Sequence, residues 1–381
     1  MFDRAILHMD LDAFFVSVEC LRNSALLGKP LIIGGGTRGV VSSCSYEARR
    51  FGVHSAMPTK MAMRLCPDAI VIKGDMEAYS KHSKIVTEII AEQAPLFEKA
   101  SIDEFYLDLT GMDRHMGCWK WSKELRQRII KESGLPISFG LSINKLVSKV
   151  GTGEAKPNGM KLVETGDEKG FLAPLSTSKI PSIGKATYKK LSFMGVRTVG
   201  KLAEIPPELL RREFGKQGLS IWRKANGLDD SPVVPFHERK SISTERTFNE
   251  DTIDVRYLKS RLTDMLTKLA FELREAQKLT SVITVKIRYA DFNTYTHQCK
   301  IPYTANDRVL LEKTEELFDK LYQRRQLVRL LGVRFSGLVH GNYQMQLFED
   351  TVEETQLLQQ LDHIRRKFGK NALGRASSLL D

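Results

Sequence analysis

Cysteine is scarce in this chain. Cys20, Cys44, Cys66, Cys118 and Cys299 are odd in number, widely scattered and never spaced as a C-x-x-C pair. That pattern excludes a disulfide framework and a cysteine zinc site, and it fits a reducing cytosol. No apolar run approaches the roughly 18 residues that a bilayer span requires. The opening "MFDRAILHMD" has neither the charged start nor the long apolar centre of a secretion signal. The expectation is a cytoplasmic protein without membrane contact. Internal repeats and low-complexity tracts are also missing, which excludes a repeat array.

What is present is length and positive charge. At 381 residues the chain exceeds one compact core and predicts two to four domains of roughly 100 to 150 residues. Its 58 Lys and Arg against 46 Asp and Glu give a net +12, a balance suited to a polyanionic partner.

Apolar periodicity divides the chain into segments. Residues 2–9 read as a strand, and "DAFFVSVECLRN" as a helix that puts Phe14, Val18 and Leu21 on one face. "PLIIGG" and "GVVSSCSYEARRFGV" predict two short strands and a helix. Further helices are expected over 76–93 and about 119–132, and "PISFGLSINK" supplies another strand. Strands alternating with helices predict an α/β core. From residue 180 to 206 an Ile-Pro-Ser-Ile-Gly-Lys turn lies between helical periods. It reads as a helix-hairpin-helix, whose glycine turn (Gly184, Lys185) offers backbone N–H groups to a phosphate, or as an ordinary helical hairpin. Ten Lys or Arg against five Asp or Glu over 180–232 favour the first. The turn-rich, charged stretch 228–241 is the best linker. Beyond it, Leu258, Leu262, Met265, Leu266, Leu269 and Leu273 mark one helix face, and three strands near 281–290, 295–303 and 330–338 with a helix over 307–323 predict an α+β sandwich. Lys286, Arg288 and Arg334 fall on the polar face of that sheet, which is either a solvated surface or a basic one for DNA.

"SIDEFYLDL", residues 101–109, sets two carboxylates side by side in an apolar strand. If "LFEKAS" and "FYLDL" are the arms of a hairpin, Asp103 and Glu104 occupy its turn and can converge. If the first strand pairs with that hairpin, Asp10 joins them at a sheet edge. Three clustered carboxylates raise one another's pKa unless a cation neutralises them, and hard oxygen ligands suit Mg²⁺. Two such ions are the known arrangement for nucleotidyl transfer. The plainer reading makes these acids turn residues and a helix cap.

"MDLDAFFVSVE", "SYEARRFGV", "SIDEFYLDL", "FGLSINK" and "AKPNG" occur in the order and spacing of the Y-family translesion DNA polymerases, which the chain closely resembles over about nine tenths of its length. The resemblance implies a right-hand polymerase, α/β and α+β and multidomain. Its palm would be 1–18 and 76–165, fingers 19–75, helical thumb 166–232, linker 233–240, little finger 241–341 and tail 342–381. It implies that Asp10, Asp103, Glu104 and the Leu11 carbonyl hold two Mg²⁺ ions. Phe15 would be the steric gate against ribonucleotides, with Phe14 beside it. Tyr46, Arg49 and Lys156 would bind the triphosphate, and Ser43 would contact the templating pair. "QMQLF" resembles a clamp-binding peptide through Gln344, Leu347 and Phe348, and "DHIRRKFGKNALGRAS" reads as a basic helix. The implied function is template-directed, low-fidelity addition of dNTPs to a primer–template by a monomer, with the replication sliding clamp as partner and no proofreading exonuclease. A nucleotidyl cyclase and a non-catalytic DNA-binding protein are the alternatives.

Overall fold

The chain was analysed as a computed structural model that describes residues 3–36, 38–114, 117–341 and 352–378. It divides into two units, Met1–His237 and Glu238–Asp381. The first begins with β1 (Ile6–Leu11) and α1 (Phe14–Arg22), then β2 (Leu31–Ile33), β3 (Ser43–Cys44), α2 (Tyr46–Arg49), α3 (Thr59–Leu65) and β4 (Ile70–Ile72). There follow α4 (Met76–Gln93), β5 (Phe97–Lys99), β6 (Glu104–Asp108), α5 (Cys118–Ser133), β7 (Ile137–Ser142), α6 (Lys145–Ala155) and β8 (Met160–Leu162). Five strands form one sheet in the order β5-β6-β1-β7-β8, and β3-β2-β4 form a second.

β1 lies in the middle of the larger sheet, antiparallel to β6 and β7. Leu7, Met9 and Leu11 enter the core beneath it, while α6 covers the other face, where Ser148 and Thr152 hydroxyls donate to the Ile6 and His8 carbonyls at 2.7 and 3.0 Å. Cover on both sides explains why β1 is nearly continuously apolar. The sequence placed this strand at 2–9, but it runs Ile6–Leu11 and so includes Asp10. Leu21 was expected on the apolar face of α1 and is instead 46% exposed, at the end where the helix leaves the core.

α6 was not anticipated. The expected strand stops at Ser142, and the Asn144 side chain caps the new helix by accepting from the Val147 N–H at 2.9 Å. Its approach to β7 depends on Gly140: a Cβ there would lie 2.2 Å from the Ser148 carbonyl oxygen and 2.6 Å from the Thr152 nitrogen. Any larger residue would push α6 off the sheet, together with the lysines that it carries.

The rest of the first unit is helical: α7 (Glu168–Leu172), α8 (Lys185–Phe193), α9 (Val199–Glu204), α10 (Pro207–Phe214) and α11 (Lys216–Ala225). Their apolar faces close around Leu191, Val199, Leu202, Leu210 and Ile221. The turn at Pro181–Gly184 leads into α8, but the helical period expected before it is a single 3-10 turn, Thr177–Lys179.

In the second unit come β9 (Ser241–Thr252), α12 (Val255–Glu275), β10 (Lys278–Tyr289), β11 (Thr294–Thr304), α13 (Asp307–Leu321), β12 (Val328–Ser336), β13 (Val339–His340) and α14 (Val352–Phe368). The sheet order is β11-β10-β12-β9, with β13 added to β10. Leucines of α12 pack on Ile283, Val285, Ile287 and Phe335 as the spacing predicted. The three expected strands are therefore joined by β9, which the sequence hid. As an edge strand it buries only Ile242 and Phe248 fully among twelve mostly polar residues, so no apolar period marks it. The tail helix stops at Phe368 instead of continuing to 377, because Gly369 takes the left-handed conformation (φ 95°) common at helix ends. α14 docks on α12 through Arg274, whose guanidinium donates to both Asp362 oxygens at 2.6 and 2.9 Å and to Asp307 at 2.5 Å. Among the described residues no helix is long and apolar enough to cross a membrane.

Candidate active site

The pairing of β1 with β6 sets Asp10 directly opposite Glu104, and the Leu11 N–H donates to the Asp103 carbonyl at 3.1 Å. β5 and β6 form the expected hairpin, Phe97 facing Leu107 and Lys99 facing Phe105. Only Asp103 lies in its turn; Glu104 is the first residue of β6. Asp10 and Glu104 lie near the ends of β1 and β6, two interior strands, with Asp103 in the turn beside them at that edge of the sheet. Ser101, unnoticed in the sequence, shapes the turn. Its hydroxyl oxygen accepts from the N–H groups of Asp103 and Glu104 at 3.2 and 3.0 Å and donates to the Asp103 carboxylate at 2.5 Å.

Cations already face these acids. α6 and its C-cap present Lys145, Lys149 and Lys156 along the sheet. Lys145 donates to both oxygens of Glu98 at 2.9 and 2.7 Å, and Lys149 to both oxygens of Glu104 at 2.7 and 2.6 Å. Lys156 pairs with Asp10 and lies 3.5 Å from the Leu11 carbonyl. Burial pushes the Asp10 carboxyl up to about 6; Lys156 opposes that shift, and the charges of Asp103 and Glu104 add to it. The three acids thus feel one another, although among the described residues no three His, Cys, Asp or Glu side chains converge closely enough to ligate an ion as they stand. The donors, three carboxylates, two of them paired with ammonium groups, and a carbonyl oxygen, have the chemistry that a hard divalent ion requires.

A cleft of about 180 Å³ opens beside them, lined by Asp10, Leu11, Phe15, Ser43, Arg49 and Lys156 among others. The Phe15 ring stacks on Tyr79, centroids 4.3 Å apart and planes at 13°. The Tyr79 hydroxyl donates to Glu19 at 2.7 Å, which locks the platform. Phe14 is buried in the core behind it. Tyr46 and Arg49 occupy one turn of α2, the guanidinium 4.7 Å from the ring centre. Burial, with the Asp12 carboxylate next, raises the Tyr46 pKa and keeps the hydroxyl protonated.

Asp12, 2% exposed, is the organiser that sequence reasoning missed. It accepts from the Ser138 hydroxyl at 2.8 and 3.0 Å, from the Asn158 N–H at 2.7 Å and from Tyr46 at 3.4 Å. One carboxylate thereby ties β7, the "AKPNG" loop and α2 together. The signal was the second aspartate of "DLD". His8 is buried as well. Its Nδ1 lies 2.8 Å from the Thr152 hydroxyl and its Nε2 has no partner among the described residues. Burial, then Lys149, Lys156 and Lys145, hold its pKa well below the usual value, so the ring is neutral.

Gly184 forms the N-terminal cap of α8 and Lys185 its first residue. They lie in the same unit as the carboxylates, and Gly184 lines a cleft of about 580 Å³ with His8, Asp10, Lys149, Lys156 and Lys179. In the second unit Lys286 pairs with Glu245, Arg288 donates to Thr294 at 2.8 Å, and Arg334 is exposed. Their sheet face is polar but partly neutralised. Gln344, Leu347 and Phe348 lie outside the described residues.

Family models match the chain in three places: the impB/mucB/samB family over residues 9–153, its C-terminal domain over 239–347, and a DNA polymerase-iota thumb domain over 178–229. A DNA polymerase IV of Dehalococcoides mccartyi strain CBDB1 is 38% identical over 385 residues, spanning 99% of both chains. A DNA polymerase IV of Streptococcus pyogenes serotype M1 is 39% identical over 344 residues, spanning 88% of this chain and 94% of its own. A solved Y-family DNA polymerase chimera superposes with a TM-score of 0.78 at 25% identity, covering 88% of this chain and all of its own.

Proposed function

The chain belongs to the impB/mucB/samB family, the Y-family translesion DNA polymerases, and on that premise we propose that Asp10, Asp103, Glu104 and the Leu11 carbonyl form its catalytic centre and hold two Mg²⁺ ions. When bound, those ions lower the pKa of the primer 3′-hydroxyl and neutralise the phosphates. The chain's own residues do the positioning. Arg49 offers a forked contact to the triphosphate, and Tyr46 and Lys156 add a hydroxyl and a point charge. Phe15, backed by Tyr79, fills the space that a 2′-hydroxyl would need, and Ser43 faces the templating pair. The 3′-oxygen forms a bond to the α-phosphorus as the bond to pyrophosphate breaks, and the proton of the primer hydroxyl passes to water or to the substrate's own phosphate.

The observation that supports this reading best is the register setting Asp10 opposite Glu104, with the Asp103 carbonyl bonded to the next residue of β1, beside a cleft that contains Phe15, Arg49 and Lys156. The parts of the enzyme are palm 1–18 and 76–165, fingers 19–75, thumb 166–232, linker 233–240 and little finger 241–341. The thumb turn at Gly184 and Lys185 holds a backbone phosphate, and Lys286, Arg288 and Arg334 face DNA. The protein acts as a cytoplasmic monomer.

With a primed template, four dNTPs and Mg²⁺, stepwise extension is expected, and none without Mg²⁺ or without template. Cyclic product from ATP or GTP alone would mean a cyclase instead, and DNA binding with no extension a non-catalytic protein. Gln344, Leu347 and Phe348 bind the sliding clamp, Gln by hydrogen bonds and Leu and Phe in an apolar groove. Replacing all three with Ala should cancel stimulation by the clamp and leave basal extension unchanged; stimulation that persists would remove the motif.

A further inference from the structure

Three lysines meet three carboxylates along α6, and the pairs differ in kind. Lys145 and Glu98 are fixed structure: Glu98 also accepts from the Val234 N–H at 2.8 Å, and the two side chains are only 15% and 8% exposed. Lys156 touches Asp10 and the Leu11 carbonyl, and its role toward phosphates is already proposed. Lys149 has no assigned role. Its ammonium engages both oxygens of Glu104, at 2.7 and 2.6 Å, in a pair 34% and 24% exposed. Lys149 also lines the 580 Å³ cleft with Gly184, at the N-terminal cap of α8, and with Lys179, which is paired with Glu154 at 2.9 Å. Leaving Glu104 would therefore carry its charge into an open polar cleft at that cap, where a strand phosphate can meet it.

We propose that Lys149 is a positioning residue that competes with the divalent cation for Glu104 and yields the carboxylate when a phosphate of the primer strand takes up its ammonium. The inference rests on the reading of Glu104 as an ion ligand. Mg²⁺ and Mn²⁺ need the carboxylate oxygens to themselves at close range, and an ammonium bonded to both oxygens blocks that approach. A strand phosphate relieves the competition, so DNA tightens ion binding. By reciprocity the ion then tightens DNA binding by the same factor.

The test uses the full-length protein and Mn²⁺, with free ion followed by electron paramagnetic resonance, with and without primer–template and with a DNA-only blank. In the wild type, Mn²⁺ should bind weakly alone and more tightly with DNA. In Lys149→Met, Mn²⁺ should bind about five- to tenfold more tightly without DNA, the scale for removing one partly exposed competing charge, and DNA should add little. Lys149→Arg should behave as wild type. A gain in affinity that Lys149→Arg does not share, in a variant whose unfolding transition matches wild type, reports the lost charge and not a damaged fold. If Lys149→Met binds Mn²⁺ no more tightly than wild type in the absence of DNA, while wild type binds it with DNA, the competition is wrong and the carboxylate site stands. If wild type binds no Mn²⁺ in either condition, the carboxylate site itself falls, and the inference with it.

Discussion

Asp103→Ala and Glu104→Ala are each expected to lower primer extension by about a thousandfold or more, the scale on which losing a preorganised electrostatic group slows an enzyme, while DNA affinity and its salt dependence change little. The separation follows from where these side chains lie. Asp103 sits in a turn built by Ser101, and Glu104 begins β6 with its side chain facing α6. Neither supports the core: the apolar contacts of the hairpin come from Phe105 and Leu107. Removing either carboxylate takes away a proposed ion ligand without unpacking a strand. DNA affinity arises from phosphate neutralisation over many Lys and Arg, so it should survive. Single-turnover extension and binding at several salt concentrations measure the two separately. Normal turnover in either variant contradicts the carboxylate assignment; a parallel loss of binding and turnover means the acids act in structure.

Phe15→Ala is expected to cut discrimination against ribonucleotides by about a hundredfold, with dNTP turnover much less affected. One methylene in a hydrophobic pocket is worth about 10- to 200-fold, and a ring that cannot adapt should discriminate in the upper part of that range. The filter here is rigid. Phe15 is held face to face by Tyr79 at 4.3 Å, and Tyr79 is fixed by Glu19. A ring so held cannot swing aside for a 2′-hydroxyl, whereas an alanine leaves room for one. The ratio of kcat/KM for dNTP and rNTP on one template is the readout. An unchanged ratio would remove the gate role and leave Phe15 as a packing residue beside Phe14.

Much of the candidate site was legible because it lies in short, continuous and chemically unusual stretches. Two adjacent acids in an apolar strand and an Asp ending another require explanation wherever they occur, and strand pairing was enough to bring them together. What stayed hidden was held by contacts distant in sequence. Asp12 carried no expectation in the sequence, yet it ties together β7, the "AKPNG" loop and α2. Lys149 carried no expectation, and Tyr79 was one residue of an expected helix, until α6 and α4 were docked against Glu104 and Phe15. α6 itself went unseen because its Asn144 cap was taken as the end of a strand, which left Leu146, Val147 and Val150 beyond it without an element. β9 was missed because an edge strand needs few apolar residues. The helix stop at Gly369 is the kind of boundary that only backbone geometry fixes.

The most direct test of the account is the position of Mn²⁺ by anomalous scattering in crystals of the protein with primer–template and a non-hydrolysable dNTP. Two ions are predicted, bridged by oxygens of Asp10, Asp103 and Glu104 and touched by the Leu11 carbonyl, with Lys149 turned away from Glu104. Ions bound elsewhere, with Lys149 and Lys156 still on Glu104 and Asp10, would contradict it.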